Sequence, residues 1–507
     1  MSAVVALGLA SALAACGSEA SDNTGEVDLN ATLRFGMTYG TSSYDPHKTL
    51  QTSDNNLLFN VYDRLIQRTP DGDLIPGLAE SWETDASGKV MTLKIRKGVK
   101  FQDGAVLDAE AVKINLDRAK EPDSNTAPLL ASIESVDVVD ESTVALNLDG
   151  FGAALPQTLT DLAGMIVSPK ALAKPDAAEF LATTPAGAGR YKLKSAKPGA
   201  HYEFTAFDGY WNADAVKAKN LVWEVMPDAT ARLNALKSGQ LDIALIAPTI
   251  IGQAEQDKDL TVQIKPSLTH YMFYFNQQKA EFDKVEVRQA IAKAINKDAI
   301  VEAAFEGQAV AASQDVPKDY FAYNPSLESV NTYDPDGAKA LLEQAGLKDG
   351  FSFTAMVMNI PEYVVMAEMI QSDLAKIGIK MEMTMLPPSD LAPTFNKGEG
   401  DATISAWVGR PDPSILYSSY FLKDSVSNPS KSEVDGIRAA LDKANSVYDD
   451  KGRAAAMGEV SAMVIENALV VPVAFMVTGA IHTKDVLGFD AYAIGVELRE
   501  AGLSGKK

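Results

Sequence analysis

The chain of 507 residues carries 68 acidic and 46 basic side chains, and the resulting formal net charge of −22 disfavours nucleic acid as a partner and favours solubility. A hydrophobic content of 46% and a charged content of 22% are typical of a folded globular protein, and the length predicts two or three domains. The sequence holds one cysteine, which excludes an intrachain disulfide and a zinc–thiolate site.

The N-terminus indicates where the protein is located. An apolar run from Ala3 to Ala15, too short to span a bilayer, ends directly before Cys16, and a polar spacer follows at 16–30. Residues 1–15 resemble a bacterial lipoprotein signal peptide, which implies cleavage before Cys16, lipidation of Cys16 and anchoring to the outer face of the cell membrane. No Lys or Arg precedes the apolar run, which departs from the usual signal peptide and is consistent with a start upstream of Met1. The alternative interpretation is a buried core segment with a chance cysteine.

From Ala31 onwards, short apolar strands alternate with amphipathic helices, which predicts mixed α/β lobes. Residues 228–246 predict a helix, a stop at Gly239 and a strand from Leu241. Residues 361–385 repeat this order, with a stop at Gly378 and methionines that alternate along the following strand. No segment after Cys16 is long and apolar enough to span a membrane.

The sequence shows no recognisable catalytic or metal-binding pattern. The histidines His47, His201, His270 and His482 are too widely separated for a metal motif. The stretch PAGAGRYKL at 185–193 has two of the three glycines of a dinucleotide fingerprint, and we interpret it as a turn into a strand. There is no phosphate-binding GxxxxGK[ST] loop and no GxSxG elbow. We therefore expect no enzyme activity, no cofactor and no metal, although a secreted hydrolase remains the rival class.

Several stretches together resemble one family, the extracytoplasmic solute-binding proteins of ABC importers of family 5, whose class (cluster C) includes dipeptide, oligopeptide and nickel binders. The stretches are LIPGLAESWETDASGKVMTLKIRKGVKFQDGAVLDAEAV (74–112), PAGAGRYKL (185–193), FDGYW (207–211), RLNALKSGQLDIA (232–244), FDKVEVRQAIAKAINKDAI (282–300) and YDPDGAKALLEQAGLKDG (333–350). They follow the order of the family over nearly the whole mature chain. Much of the first stretch consists of folding signals, such as Asp108 placed to cap a helix that starts at Ala109.

The resemblance implies a two-lobe periplasmic-binding-protein-like α/β fold of class II, with an extra subdomain on lobe I. The chain is then expected to cross to lobe II near Tyr274 to Asn276 and to return near Pro472 to Phe475. The expected divisions are 31–59 for the first part of lobe I, 60–183 for the extra subdomain, 184–273 for the second part of lobe I, 274–473 for lobe II and 474–507 for the C-terminal return to lobe I. Closure of the lobes would bury a solute between them.

The segment ISAWVGRPDPS at 404–414 is expected to face the cleft between the lobes. We expect Trp407 to form a wall for the ligand, with core packing as the alternative. Peptide-binding members of the family carry an aspartate for the amino terminus of the peptide shortly after this tryptophan, whereas Arg410 stands nearest that place here. Arg410 would repel an ammonium group and bind a carboxylate or phosphate, or it is simply solvated. Asp412 either forms a turn with Pro413 or supplies the amine anchor itself.

The loop after the first strand, GMTYGTSSYDP at 36–46, is implied to form the facing wall. Tyr39 would offer a ring, and the backbone of Gly40 and Thr41 would offer donors that approach closely. Tyr44, with Asp45 and Pro46, is expected only to shape the turn. Nickel binders of this class favour histidine after the tryptophan loop, and this chain has none between His270 and His482, which counts against direct metal capture.

These observations predict a lipid-anchored binding component of an ABC importer that captures a peptide or similar polar solute and delivers it to the membrane permease, while separate subunits hydrolyse ATP. We expect a monomer outside the cytoplasm, without nucleic acid. The alternatives are a secreted solute sensor, which would look identical in sequence, and a binder of a non-peptide solute such as an opine, an oligosaccharide or an anionic compound.

Overall fold

The computed structural model describes residues 25–49 and 54–505, and Cys16 with the apolar run before it lies outside these ranges. The strands are β1 (Thr32–Met37), β2 (Ile66–Arg68), β3 (Leu74–Pro76), β4 (Ala79–Thr84), β5 (Val90–Ile95), β6 (Ile133–Asp140), β7 (Thr143–Leu148), β8 (Tyr191–Lys197), β9 (His201–Ala206), β10 (Asn220–Val225), β11 (Ile243–Leu245), β12 (Leu260–Phe275), β13 (Val310–Ala311), β14 (Ser352–Met358), β15 (Lys380–Leu386), β16 (Ala402–Trp407), β17 (Val470–Thr483), β18 (Val486–Leu487) and β19 (Gly502–Leu503). The helices are α1 (Asp54–Val61), α2 (Ala109–Ala119), α3 (Leu155–Thr158), α4 (Pro169–Leu172), α5 (Ala177–Thr183), α6 (Ala229–Lys237), α7 (Pro248–Glu255), α8 (Val285–Ala294), α9 (Lys297–Phe305), α10 (Pro335–Gln344), α11 (Pro361–Ala375), α12 (Pro388–Asn396), α13 (Pro413–Phe421), α14 (Ile437–Asn445) and α15 (Asp450–Glu466).

One large mixed sheet runs through the molecule in the order β15-β14-β16-β12-β17-β11-β1-β10-β9-β8, with β13 beside β17. We call the part built on β1 and β8 to β11 the first lobe, and the part built on β14 to β16 the second lobe. The long antiparallel strands β12 and β17 belong to both lobes. Strand β16 pairs with β12 over His270 to Phe275, whereas β11 pairs with β17 over Ala480 to His482. The lobes are therefore joined by continuous strands, which favours hinge-like motion.

The regular pairing of β12 with β17 is interrupted between Pro266 and His270. This interruption lies several residues before Tyr274, where the sequence places the crossing to lobe II. The division of the chain into lobes at 273/274 and 473/474 stays a prediction. Strands β12 and β17 each run as one continuous strand from one lobe into the other.

A separate small antiparallel sheet has the order β4-β5-β7-β6. Helix α2 packs on it, and the two share a core that includes Leu93, Phe101, Leu116 and Leu146. We call this part the small sheet unit. Asp108 begins α2 as expected, because its side chain accepts a hydrogen bond from the backbone N of Ala111 at 2.8 Å.

The two helix–strand units predicted from the sequence are present. Helix α6 ends before Gly239, which has φ of +71°, and the helix end is closed because the backbone N of Leu241 donates to the carbonyl of Ala235. This bond delays the strand, so β11 begins at Ile243 and not at Leu241. Helix α11 likewise ends before Gly378, and β15 follows. Strand β15 is the edge strand of the sheet, and burial decreases along it, from Met381 at 1% exposed to Met385 at 38% exposed.

Each lobe has its own hydrophobic core. The core of the first lobe surrounds Phe35 and Trp223, which lie on the paired strands β1 and β10. The second lobe has two clusters on opposite faces of its sheet, one formed with α8, α10 and α11 and one formed with α13, α14 and α15. Separate cores allow the lobes to move as rigid units.

Candidate functional site

The loop after β1 is held by its own polar side chains. The hydroxyl of Thr41 donates to the carbonyl oxygen of Ser43 at 2.7 Å, and the hydroxyl of Ser42 donates to a carboxylate oxygen of Asp54 at 2.5 Å. Gly40 lies against the tip of the β8–β9 hairpin, where a Cβ atom would lie 2.3 Å from the hydroxyl of Tyr202. Glycine is therefore required at this position by close packing.

Tyr39 at the tip of this loop has 63% of its surface exposed. Its ring is available to a ligand, and its expected role as a wall of the cleft stays a prediction. Gly40 and Thr41 are half-buried beside it. Among the described residues, no hydrogen bond or ion pair joins Tyr39, Gly40 or Thr41 to the loop at 407–412 in the second lobe.

The following residues shape the loop. Tyr44 and Asp45 are buried, and the carboxylate of Asp45 accepts a hydrogen bond from Arg118 of α2 at 2.9 Å. Arg118 also lies 3.0 Å from Nδ1 of His47. Burial, assisted by the positive charge of Arg118, lowers the pKa of His47 to about 4. This histidine is therefore a neutral structural residue at pH 7 and joins the loop to the small sheet unit.

Trp407 closes strand β16 and lies in the core. Only 2% of its surface is exposed. Its ring stacks on Tyr420 with centroids 4.1 Å apart and meets Tyr274 edge-on at 5.4 Å and His270 at 5.8 Å. In this structure the ring packs among aromatic side chains from β12 and α13, as the core-packing alternative expects, and the role of Trp407 as a ligand wall stays a prediction.

Asp412 is fully buried and serves as the N-cap of α13. Its Oδ1 accepts from the backbone N of Ser414 at 2.9 Å and from the Ser414 hydroxyl at 2.6 Å. Its Oδ2 accepts two hydrogen bonds from Arg453 of α15, at 3.1 Å from Nε and at 2.5 Å from Nη2. The turn interpretation of Asp412 is confirmed. Both carboxylate oxygens are engaged in this structure, and the other expected role of Asp412, as an anchor for a ligand amine, stays a prediction.

Arg410 differs from both neighbours in being exposed. The backbone on either side of it is fixed: the N of Gly409 donates to the hydroxyl of Thr269 at 3.1 Å, and the carbonyl of Pro411 accepts from the hydroxyl of Tyr320. A Cβ atom on Gly409 would lie 2.4 Å from the backbone of Leu268, so the loop packs directly on β12. The loop thus presents Arg410 from a rigid base.

The guanidinium of Arg410 has no hydrogen bond or ion pair with any of the described residues. Its positive charge nevertheless acts on Tyr420. Burial raises the pKa of Tyr420, and the charge of Arg410 opposes that rise. Val408, two residues earlier, has 50% of its surface exposed. The arrangement offers a free cation beside an apolar side chain, which suits the charged end of a ligand.

Helix α13 continues from this loop and borders a cavity of about 240 Å³. Ile415, Ser418 and Ser419 of α13 line one side, and Leu129 and Phe151, in loops of the small sheet unit, line the other. A larger cavity of about 670 Å³ lies beyond Ala153 and Ala154, and it includes Trp82 of the small sheet unit and Phe321 of the second lobe. Both cavities thus lie between the small sheet unit and the second lobe.

Some residues of this region carry no signal in the sequence. Arg453 pairs with Asp412, which lies 41 positions earlier in the chain. The hydroxyl of Tyr448 in the second lobe donates to the backbone carbonyl of Gly88 in the small sheet unit. Neither Arg453 nor Tyr448 belongs to a motif, and a pattern in one sequence cannot reveal contacts between such distant elements. Ser418 and Ser419 line the smaller cavity from a helix that is mostly buried, and no sequence pattern marks them.

The described ranges, 25–49 and 54–505, contain no group of three or more His, Cys, Asp or Glu side chains that could hold a metal ion. In the same part of the chain, no helix is both long and apolar enough to cross a membrane.

Comparisons with known proteins agree with this architecture. Residues 73–428 match the family model described as bacterial extracellular solute-binding proteins, family 5 Middle. The chain is 32% identical over 394 residues to the dipeptide-binding protein of Escherichia coli (strain K12), and the alignment covers 71% of this chain and 73% of that protein. The solved structure of HbpA2 from Haemophilus parasuis has a TM-score of 0.84 at 26% identity, covering 93% of this chain and 100% of that chain. The structure of AgaA in complex with agropinic acid, from A. tumefaciens R10, has a TM-score of 0.75 at 26% identity, covering 94% and 99%.

Proposed function

Because the chain belongs to the bacterial extracellular solute-binding proteins of family 5, the binding components of ABC importers, we propose that it captures a solute with an anionic group between its lobes. The solute is a peptide or a similar polar acid, and the permease of the importer receives it from the closed form. The protein acts as a monomer and performs no chemistry on the solute.

Arg410 carries this proposal. Its guanidinium is exposed on a rigid loop and has no partner among the described residues. A guanidinium binds a carboxylate or phosphate through two parallel hydrogen bonds and repels an ammonium group. Asp412 is occupied by Arg453, so this loop offers no free carboxylate to a peptide amine. The loop therefore favours the acidic end of a solute over the amino end.

The relatives support an acidic solute of modest size. The E. coli relative is a dipeptide-binding protein, and the solved AgaA structure contains agropinic acid. A dipeptide and an opine acid share a carboxylate next to polar groups, although they differ in the rest of the molecule. We propose that Tyr39 lies on the opposite side of the solute from Arg410 and contributes a ring that contacts its apolar parts.

A ligand screen by thermal unfolding tests the proposal. A ligand at 100 times its Kd adds about 2.7 kcal/mol to the free energy of unfolding, which raises the midpoint. We expect shifts with Ala-Ala, with N-acetylated Ala-Ala and with agropinic acid, and we expect no shift with the C-terminal amide of Ala-Ala. The R410Q variant should weaken binding by roughly 10- to 150-fold, the range for a lost hydrogen bond to a charged group. A shift that requires a free amine and tolerates the amide would refute the role of Arg410.

The matched control is K423Q, which removes one exposed positive charge just after α13 and leaves the cleft unchanged. K423Q should bind like the wild type. If K423Q weakens binding as much as R410Q does, the effect of R410Q reflects the general charge of this region and not a contact with the solute.

We also propose that Cys16 is lipidated and holds the protein at the outer face of the membrane. The support is the sequence alone: an apolar run that ends in Leu-Ala-Ala before the cysteine, followed by a polar spacer. Membrane fractionation of cells that express the wild type or C16S tests this. The wild type should sediment with membranes and C16S should not, and sedimentation of both would contradict lipid anchoring.

A further inference from the structure

A third cavity lies in the first lobe, away from the two cavities between the small sheet unit and the second lobe. Its volume is about 560 Å³, and it is enclosed by α4, α5 and strand β8 together with Gln102 and Asp103 of the small sheet unit. It shares no lining residue with those two cavities. Its volume falls within the range of about 300–1,000 Å³ that is usual for small-molecule sites.

Lysine side chains surround this cavity. Of the described residues, Lys170, Lys174 and Lys192 line it, and Asp103 is the single acidic residue beside them. None of the three lysines forms an ion pair with a carboxylate in the described part of the chain. The cavity is thus positively charged in a protein whose formal net charge is −22.

The contacts of the lysines leave their charges uncompensated. The ammonium of Lys170 lies 3.4 Å from the backbone carbonyl of Asp103, and that of Lys174 lies 4.4 Å from the ring of Phe180. The carboxylate of Asp103 accepts from the hydroxyl of Ser168 at 2.5 Å and is not paired with a lysine. Three like charges around one concave surface repel one another, and a bound anion would relieve that repulsion.

The walls of the cavity are apolar and rigid. Phe180, Pro185 and Leu193 supply apolar surface between the lysines. Gln102 at the edge is fixed because its side-chain amide donates to three backbone carbonyls, those of Val61, Gly189 and Tyr191, at 3.3, 3.0 and 2.8 Å. A preformed pocket with apolar walls and cationic groups fits a ligand that has both characters.

We propose that this cavity binds a small amphipathic anion, that is, a carboxylate, sulfonate or phosphate ester attached to an apolar group. The site is separate from the cleft between the lobes, so a protein that carries an imported solute could still respond to this second ligand.

Fluorescence titration of the full chain with 8-anilinonaphthalene-1-sulfonate, an aromatic sulfonate, tests the proposal. We expect saturable binding with one dye per chain. The triple variant K170Q/K174Q/K192Q should weaken dye binding by roughly 3- to 125-fold, because each exposed ion pair contributes roughly 1.5- to 5-fold to affinity. Added salt should weaken binding to the wild type as well. Phenyl phosphate should displace the dye at lower concentration than inorganic phosphate does.

The matched control is K89Q/K97Q/K100Q, which removes three exposed lysines of the small sheet unit and the same total charge. It should change dye binding by less than twofold, and circular dichroism should show both triple variants folded. Equal binding by the wild type and K170Q/K174Q/K192Q would overturn the proposal. Loss of binding in R410Q instead would overturn it too, because the dye would then occupy the cleft. Equal displacement by phenyl phosphate and inorganic phosphate would refute the apolar part of the ligand.

Discussion

The hydroxyl of Tyr448 donates a hydrogen bond to the carbonyl oxygen of Gly88 at 3.2 Å. The same hydroxyl accepts a hydrogen bond from the backbone N of Gly152, also at 3.2 Å. Tyr448 lies two residues before α15 in the second lobe, whereas Gly88 lies in the turn between β4 and β5 in the small sheet unit. One side chain therefore ties two loops of the small sheet unit to the second lobe, across the entrance to the larger cavity between them.

We predict that Y448F loosens this contact. The substitution removes the hydroxyl but keeps the ring, and a hydrogen bond contributes roughly 0.5–1.5 kcal/mol net, or about 2- to 13-fold in the open population. Amide hydrogen exchange at Gly152 should accelerate by this factor. The control is Y323F, whose hydroxyl donates to Glu328 within the second lobe. An unchanged rate of amide exchange at Gly152 in Y448F would show that the Tyr448 hydroxyl does not hold the small sheet unit to the second lobe.

The buried pair of Asp412 and Arg453 is predicted to govern the stability of the second lobe. R453M leaves the Asp412 carboxylate buried without a cation, which typically costs about 3–5 kcal/mol. Unfolding in urea should show this loss. K443M breaks the exposed pair of Lys443 with Glu459 and should cost less than about 1 kcal/mol. Equal effects of the two substitutions would mean that Asp412 reaches water in solution.

Glu497 is predicted to make folding sensitive to acid. Burial alone would raise the pKa of Glu497, but the positive charges of Arg64 and Arg499 outweigh burial and lower the pKa from 4.5 to about 2. Arg64 binds both carboxylate oxygens, at 2.9 and 2.8 Å. Between pH 4.5 and 2 this carboxyl group is protonated in the unfolded chain but still ionised in the folded protein. Glu497 therefore contributes roughly 3 kcal/mol to the free energy of unfolding above pH 4.5, and this contribution is lost as the pH falls towards 2.

Urea unfolding at pH 6, 4 and 3 measures this dependence. E497Q should be less stable than the wild type at pH 6, and its stability should change less between pH 6 and pH 3. The control is E80Q, which removes an exposed partner of Arg96 and should leave the acid dependence of the wild type intact. Parallel curves for the wild type and E497Q would contradict the lowered pKa of Glu497.

Trp407 is predicted to act through stability more than through ligand contact. W407A removes a buried ring from an aromatic cluster and should cost about 3–5 kcal/mol in the free energy of unfolding. V408A, at the exposed neighbouring position, should change stability by less than about 0.5 kcal/mol. Guanidinium unfolding compares the two. A stable W407A variant with reduced ligand affinity would instead restore Trp407 as a wall of the site.

Local features of the fold were predictable because their causes lie within a few residues. The cap at Asp108 and the helix stops at Gly239 and Gly378 depend on hydrogen bonds and backbone angles in one turn, and all three are present. The delayed start of β11 was not predictable, since it depends on where the last turn of α6 closes on Leu241.

By itself, the sequence determined the acidic α/β chain, its family and the identity of the loop WVGRPDPS, since these follow from composition, periodicity and ordered motifs. The tertiary structure alone decided which side chains of that loop are available. Trp407 and Asp412 are buried by Tyr420 and Arg453, which come from other elements, and Arg410 remains exposed between them. Burial and charge pairing depend on neighbours that are distant in the chain, and for that reason spacing along one sequence could name the loop but not which of its side chains stay exposed.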